Sequence, residues 1–334
     1  MRVVRTLEVP PPSVVDPITR APRAGSFRGP LPSVDLEPLG RSRLYRLFHG
    51  KRWIYAAVAA ERMFVGVALV DLGYAGNAFA FAWEPGTDGF VAERSLLARP
   101  NGCRVRDERQ LVVARFVAGK DEAEMRLLRG RALEVHVRFD GLEIDATMDL
   151  ETPRPALSAI GPIPGGTVDA TEKHALLDVR GVVRVGDRRE SLDGAAGGYD
   201  YTHGYLARHT RWRWGYMLGR ATTGERVAMN LVEGFLGASE CGVWIDDELF
   251  PIGEGRFLFD AKDAHKPWRV RSSDDALDLT FQPRAVHAEA RNLYVVRSHF
   301  VQPVGTYEGT VRVGGKTYTL ATALGVSEDQ DVVW

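Results

Sequence analysis

The chain has 334 residues, 45 % of them hydrophobic and 26 % charged, with a formal net charge of -1; that length fits two domains with ordinary cores, and a balanced charge without long Lys/Arg runs argues against nucleic acid or an anionic lipid surface as partner. Cys103 and Cys241 lie in different halves with no C-x-x-C pair, so free thiols in a reducing, cytoplasmic setting are expected, without a cysteine-held metal. No apolar run is long enough for an integral membrane helix, and no secretory-type apolar segment follows Met1.

Residues 1–40 carry Pro10, Pro11, Pro12, Pro17, Pro22, Pro30, Pro32 and Pro38. Proline at that density favours extended chain. Leu7, Val9, Val14, Val15 and Phe27 give this segment apolar groups to bury, so it is read as an arm lying across the domains that follow. From residue 41 the patterns are short and β-like: 53–59, 63–71, 78–83, 91–98, 102–107, 110–116, 124–129, 132–138 and 142–148. Segments 132–138 and 142–148 alternate apolar and polar residues around Asp140-Gly141, a favoured hairpin turn. Prolines and glycines crowd 151–166 and set the expected boundary: a first β domain at 41–155 and a second at 156–334. Later strands are expected at 176–184, 187–192, 226–233, 242–246, 256–259, 268–271, 277–282, 287–290, 294–301, 306–313 and 316–324, with Gly314-Gly315 turning the last pair. Short strands at this spacing, with little helical period, predict an all-β chain of two tandem antiparallel barrels or barrel-like sandwiches.

The halves read as a divergent duplication. Trp53 to Asp71 and Trp212 to Asn230 are both 18 residues; Trp53 to Trp83 is 30 and Trp212 to Trp244 is 32. Such recurrence is the mark of a repeated unit.

Residues 198–219 concentrate the chemistry. A strand over 209–217 puts Thr210, Trp212, Trp214 and Tyr216 on one face, and His209, Arg211 and Arg213 on the other. The aromatic row is either core packing or the wall of a pocket for an unsaturated ligand. Asp200, flanked by Tyr199 and Tyr201, is the candidate general acid, with His203 beside it. The competing reading makes Asp200 a turn cap or the ion-pair partner of Arg208 or Arg211. Thr202, Lys173, Asn230, Glu233, Glu240 and Glu328 are further polar residues that an apolar pocket can use. His203 and His209 are six apart with no third ligand, so no metal site is expected; His136 and His299 read as surface or core histidines. The phosphate loop, G-x-S-x-G elbow and H-E-x-x-H motifs are missing, and no cofactor is expected.

The segments Lys51-Arg52-Trp53, Asp71-Leu72-Gly73-Tyr74-Ala75-Gly76, Glu172-Lys173, Asp200-Tyr201-Thr202-His203-Gly204 and Thr210-Arg211-Trp212-Arg213-Trp214 resemble the family called domain of unknown function 2804. The layout is more distantly similar to two-barrel lipocalin-like proteins, among them carotenoid 1,2-hydratase, terpenoid cyclases and Diels–Alderases. Those carry an acidic residue, often with a histidine, ahead of a Trp-x-Trp strand. The resemblance therefore implies that Asp200 and His203 are catalytic. Trp212, Trp214, Tyr216, Thr202, Arg208, Arg211, Asn230, Glu233, Trp53 and Lys173 would contact a hydrophobic small molecule. The hydratase group's Asp-His-Glu-Trp run is replaced here by Asp-Tyr-Thr-His-Gly. The implied activity is cofactor-independent hydration, cyclisation or isomerisation of an isoprenoid or polyketide-like molecule. The alternatives are a non-catalytic carrier of a hydrophobic ligand and a structural or stress protein with filled barrels.

Overall fold

The structure, a computed structural model, describes residues 6–292 and 297–334. It is almost wholly antiparallel β. The strands are β1 (Gly25–Arg28), β2 (Gly50–Ala59), β3 (Phe64–Asp71), β4 (Gly76–Trp83), β5 (Ala92–Ala98), β6 (Cys103–Glu108), β7 (Leu111–Ala118), β8 (Asp121–Leu128), β9 (Ala132–Phe139), β10 (Leu142–Asp149), β11 (Leu157–Gly161), β12 (Val168–Val185), β13 (Arg188–Ser191), β14 (Ala196–Tyr205), β15 (His209–Arg220), β16 (Arg226–Gly234), β17 (Gly242–Ile245), β18 (Glu248–Pro251), β19 (Gly255–Leu258), β20 (Trp268–Ser272), β21 (Leu277–Asn292), β22 (Arg297–Val313) and β23 (Lys316–Val333). A short helix, α1 (Arg43–His49), leads into β2 and is capped by the Ser42 hydroxyl, which accepts from the Tyr45 amide. The strand expected at 294–301 begins outside the described residues; its described part belongs to β22. No helix among the described residues is long and apolar enough to cross a membrane.

The first sheet runs β5-β4-β3-β2-β14-β12-β10-β9-β8-β7-β6, with β1, β11 and β13 paired at its side. Strand β6 returns against β3 and β4, so this sheet is a nearly closed barrel. The second runs β18-β17-β16-β15-β23-β22-β21-β20-β19 and is a half-barrel. The two orders correspond: a four-strand meander, β2 to β5 or β15 to β18, is joined through its first strand to the last strand of its own sheet.

Strand pairing puts Trp53 and Trp212 at corresponding places. Six residues further on, Ala59 faces Phe64 and then Trp83, as Leu218 faces Ala228 and then Trp244. The equal 18-residue spacing, however, does not mark corresponding residues. Asp71 pairs with Arg52, whereas Asn230 pairs with Tyr216, because the two hairpins differ in strand length.

The sheets part after Tyr205, not within 151–166. Closing the first barrel requires β14 to pair with β2, Tyr55 facing Asp200 and Trp53 facing Thr202. The proline- and glycine-rich segment therefore links two strands of one sheet. The N-terminal arm is built into that barrel. Val14, Val15, Phe27, Leu31, Val34 and Leu36 are buried in its core, while Val9 is 84 % exposed. The amides of Leu31 and Val34 donate to the carboxylates of Glu172 (2.8 Å) and Asp107 (2.8 Å). A second core is shared: Tyr55, Phe79 and Phe81 from the outer face of the first sheet pack with Trp214, Tyr216 and Trp244 of the second.

Candidate functional site

Side-chain alternation sorts the residues of β14 onto two faces. Tyr199, Tyr201 and His203 point into the first barrel, and Asp200 and Thr202 point toward the second sheet. Their neighbours on β12 and β2 in that second direction are Thr171, Lys173, Trp53 and Tyr55. The facing strand β15 contributes Trp212 and Trp214, backed by Gln330 and Glu328 on β23. Between the two faces lies a cavity of about 400 Å³, bordered by aromatic rings that include Trp53, Tyr55, Trp212, Trp214 and Phe300. Trp53 and Trp212 are stacked, centroids 6.1 Å apart and planes 3° apart, with Phe235 edge-on to both. The corresponding tryptophans of the two halves thus meet at the cavity.

Two acids face each other across the same correspondence. Asp200 pairs with Tyr55 on its neighbouring strand, and Glu328 pairs with Trp214, two residues along from Trp53 and Trp212 respectively. Their partners differ in charge. Asp200 Oδ2 lies 2.5 Å from Lys173 Nζ, and its other oxygen accepts from the Thr171 (3.4 Å) and Thr202 (3.3 Å) hydroxyls. Glu328 instead accepts from two neutral groups, the Trp212 indole (2.8 Å) and the Gln302 amide (2.7 Å). Burial, set against only neutral donors, raises the Glu328 pKa to about 7. Glu240 Oε2 sits 3.4 Å from the same Lys173 ammonium; burial still pushes its carboxyl upward. Asp169, two residues before Thr171 on the same face, is 1 % exposed, and burial, then the neighbouring Glu240, drive its pKa well above the usual carboxylate range.

Of the residues singled out from sequence, Asp200, Thr202, Lys173, Glu240, Glu328, Trp53, Trp212 and Trp214 border this cavity. The others stand elsewhere. His203 is three residues from Asp200 and so faces the opposite way; Arg52 Nε donates to its Nε2 (2.9 Å), and burial, then Arg52, hold its pKa well below normal. Tyr216 is buried beyond Trp214 and its hydroxyl donates to the His174 carbonyl (2.9 Å), tying the sheets together. Asn230 buttresses Trp214, accepting its indole N–H (2.8 Å) while donating to the Glu240 carbonyl (2.7 Å). Glu233 accepts from Arg213 (2.7 Å) and from the Phe257 amide (3.0 Å), holding β19 to β16. Arg211 is exposed on the far face of β15, across from Asp331. Arg208 sits in the corner between β14 and β15, its carbonyl accepting from the Trp334 amide (2.9 Å). The ion-pair partner of Asp200 is therefore Lys173, not Arg208 or Arg211. Asp169, Tyr55, Gln330 and Trp334 border the cavity too, and the sequence reading passed them over. Parity was the available signal, since Tyr55 follows Trp53 by two and Asp169 precedes Lys173 by four.

A barrel and a half-barrel of corresponding strand order, closed over an apolar cavity, give this chain a two-domain lipocalin-like fold. The fold matches the crystal structure of CghA with Sch210972, at 11 % identity and a TM-score of 0.56 over 97 % of this chain and 97 % of that one. It also matches kievitone hydratase from Nectria haematococca, at 12 % identity and a TM-score of 0.53 over 86 % of this chain and 90 % of that one. The chain belongs to the family described as domain of unknown function (DUF2804), whose model spans residues 11–334. No curated protein matches it.

Proposed function

We propose that the chain is an enzyme that holds an apolar, unsaturated small molecule between its two sheets and moves a proton on it. The outcome is hydration, cyclisation or isomerisation, and no cofactor takes part. One observation carries the reading. Two corresponding acids border one aromatic cavity, Asp200 against an ammonium (2.5 Å) and Glu328 against neutral donors only. Paired acids in contrasting surroundings are the usual basis of an acid–base division of labour. With its pKa near 7, Glu328 is the proton carrier, since a general acid works best when it titrates close to the ambient pH. Its proton goes to a double-bond carbon. The resulting cation is shielded by the indole faces and is quenched by water, by an internal nucleophile or by loss of a neighbouring proton; the released proton restores Glu328. The Asp200–Lys173 pair orients the polar end of the molecule.

The rival reading is a carrier that uses the same cavity without turnover. Incubation with unsaturated isoprenoid and polyketide-like compounds in D2O separates them. Mass spectrometry should find deuterium at carbon in the recovered ligand, and Glu328→Gln should abolish that uptake while ligand still quenches tryptophan fluorescence. Ligand that binds the unaltered chain and returns without deuterium makes the protein a carrier.

A further inference from the structure

Among the described residues, the charged groups bordering the cavity are Lys173 and five acids, Asp169, Asp200, Glu240, Glu289 and Glu328. A proton transfer needs one acid and one base. Lys173 compensates Asp200 at 2.5 Å and reaches Glu240 at 3.4 Å. Asp169 stands apart: neither carboxyl oxygen has a side-chain hydrogen-bond partner among the described residues, although it is 1 % exposed and borders the cavity. Burying a carboxyl without a partner is costly, and a core residue of that size would fill the place more stably. Asp169 is also held in position. Its neighbours across the strands are Gly161 and Gly204. A side chain at Gly204 would strike the Asp169 carboxyl, and one at Gly161 would strike Leu236. The two glycines thus leave room for the carboxyl and for the 235–240 turn beside it. That turn supplies Phe235, which meets Trp53 and Trp212 edge-on at 6.1 and 4.8 Å.

An unpaired carboxyl bordering the same cavity as three aromatic rings is the chemistry that recognises an ammonium group on an apolar body. We propose that the cavity selects an apolar amine, its ammonium held by Asp169 and the Trp53–Trp212–Phe235 rings. This rests on the proposed function and names its substrate class: an unsaturated molecule that carries its own positive charge. Asp169 anchors it, and Glu328 moves the proton. The groups facing Asp169 are Glu240, Lys173 and Asp200. Burial, then the neighbouring Glu240, push the Asp169 pKa upward, and an ammonium beside it would favour the charged carboxylate instead.

The test uses the full chain and two probes of one shape, phenyltrimethylammonium and its carbon isostere tert-butylbenzene, read by tryptophan quenching. The ammonium should bind about tenfold tighter. Its binding should release protons, read by calorimetry in buffers of different ionisation heat. Asp169→Asn should remove the preference and leave affinity for the neutral probe unchanged. Phe235→Leu, a second variant, should weaken the ammonium selectively. Equal affinities, a preference for the neutral probe, or a preference that survives Asp169→Asn overturns the proposal. The comparison on the unaltered chain decides it even if a variant fails to fold. Binding of the neutral probe alone leaves the apolar cavity and Glu328 chemistry standing, whereas failure of both probes removes both readings.

Discussion

At Glu328 the proposed function and stability pull in opposite directions. Its pKa rises from 4.5 to about 7 in the folded chain. Between those values the folded state holds a proton that the unfolded state has released, so stability falls as pH rises through this window and the full penalty is present above about pH 7. That penalty is roughly 3 kcal/mol. Glu328→Gln should therefore leave stability near pH 4 little changed, raise it by a few kcal/mol at pH 8, and abolish turnover; urea unfolding at the two pH values checks the first two outcomes. The Lys173 ion pairs give an asymmetric expectation. Removing Asp200 leaves Lys173 with Glu240 at 3.4 Å, but removing Lys173 leaves Asp200 and Glu240 buried with no cation. Lys173→Met should thus cost about 3–5 kcal/mol and Asp200→Asn distinctly less, measured by the same denaturation. The reverse order would mean that Glu240 does not share the lysine.

On the scale of strands and segments, the arm is the part whose place was least expected. Proline density predicts extended chain, and that much was legible. Its insertion into the first barrel depends on Glu172 and Asp107, which lie far along the chain and present acceptors to the amides of Leu31 and Val34 at 2.8 Å each. Leu31 is 1 % exposed. Leu31→Ala should destabilise the protein by about 2–4 kcal/mol, seen as a lower denaturation midpoint with an unchanged slope. A loss under 0.5 kcal/mol would make the arm a surface strap. The stretch 198–219 shows the same limit at strand level. The sequence pattern predicts a strand there only over 209–217. Asp200 in fact lies inside β14, and a corner at 206–208 passes the chain to the other sheet. Once β14 is a strand, an odd spacing of three puts His203 on the face opposite Asp200.

For the whole molecule, the shared core between the sheets and the Tyr216–His174 tie predict one cooperative unfolding transition. Far-ultraviolet and near-ultraviolet circular dichroism should change together on heating; two separate transitions would mean that the barrel and half-barrel fold independently. Cys103 and Cys241 are both buried, and burial pushes the Cys103 thiol up to about 12. A thiol reagent should find almost no reactive group in the native chain at pH 8 and two after denaturation.

Composition, short alternating segments and turn dipeptides determined that the chain is β throughout, because a two-residue period and a hairpin turn are properties of neighbouring residues. The recurrence of Trp53 and Trp212 showed the duplication for the same reason: the repeat is written along the chain. Tertiary structure decided which strands belong to which sheet, since barrel closure pairs β2 with β14, about 150 residues later. It also decided the partners of the acids. Asp200 meets Lys173, Glu328 meets Gln302 and Trp212, and Asp169 has no side-chain hydrogen-bond partner among the described residues. The charge that each acid carries depends on burial and on those distant neighbours, and neither is encoded in the residues beside it.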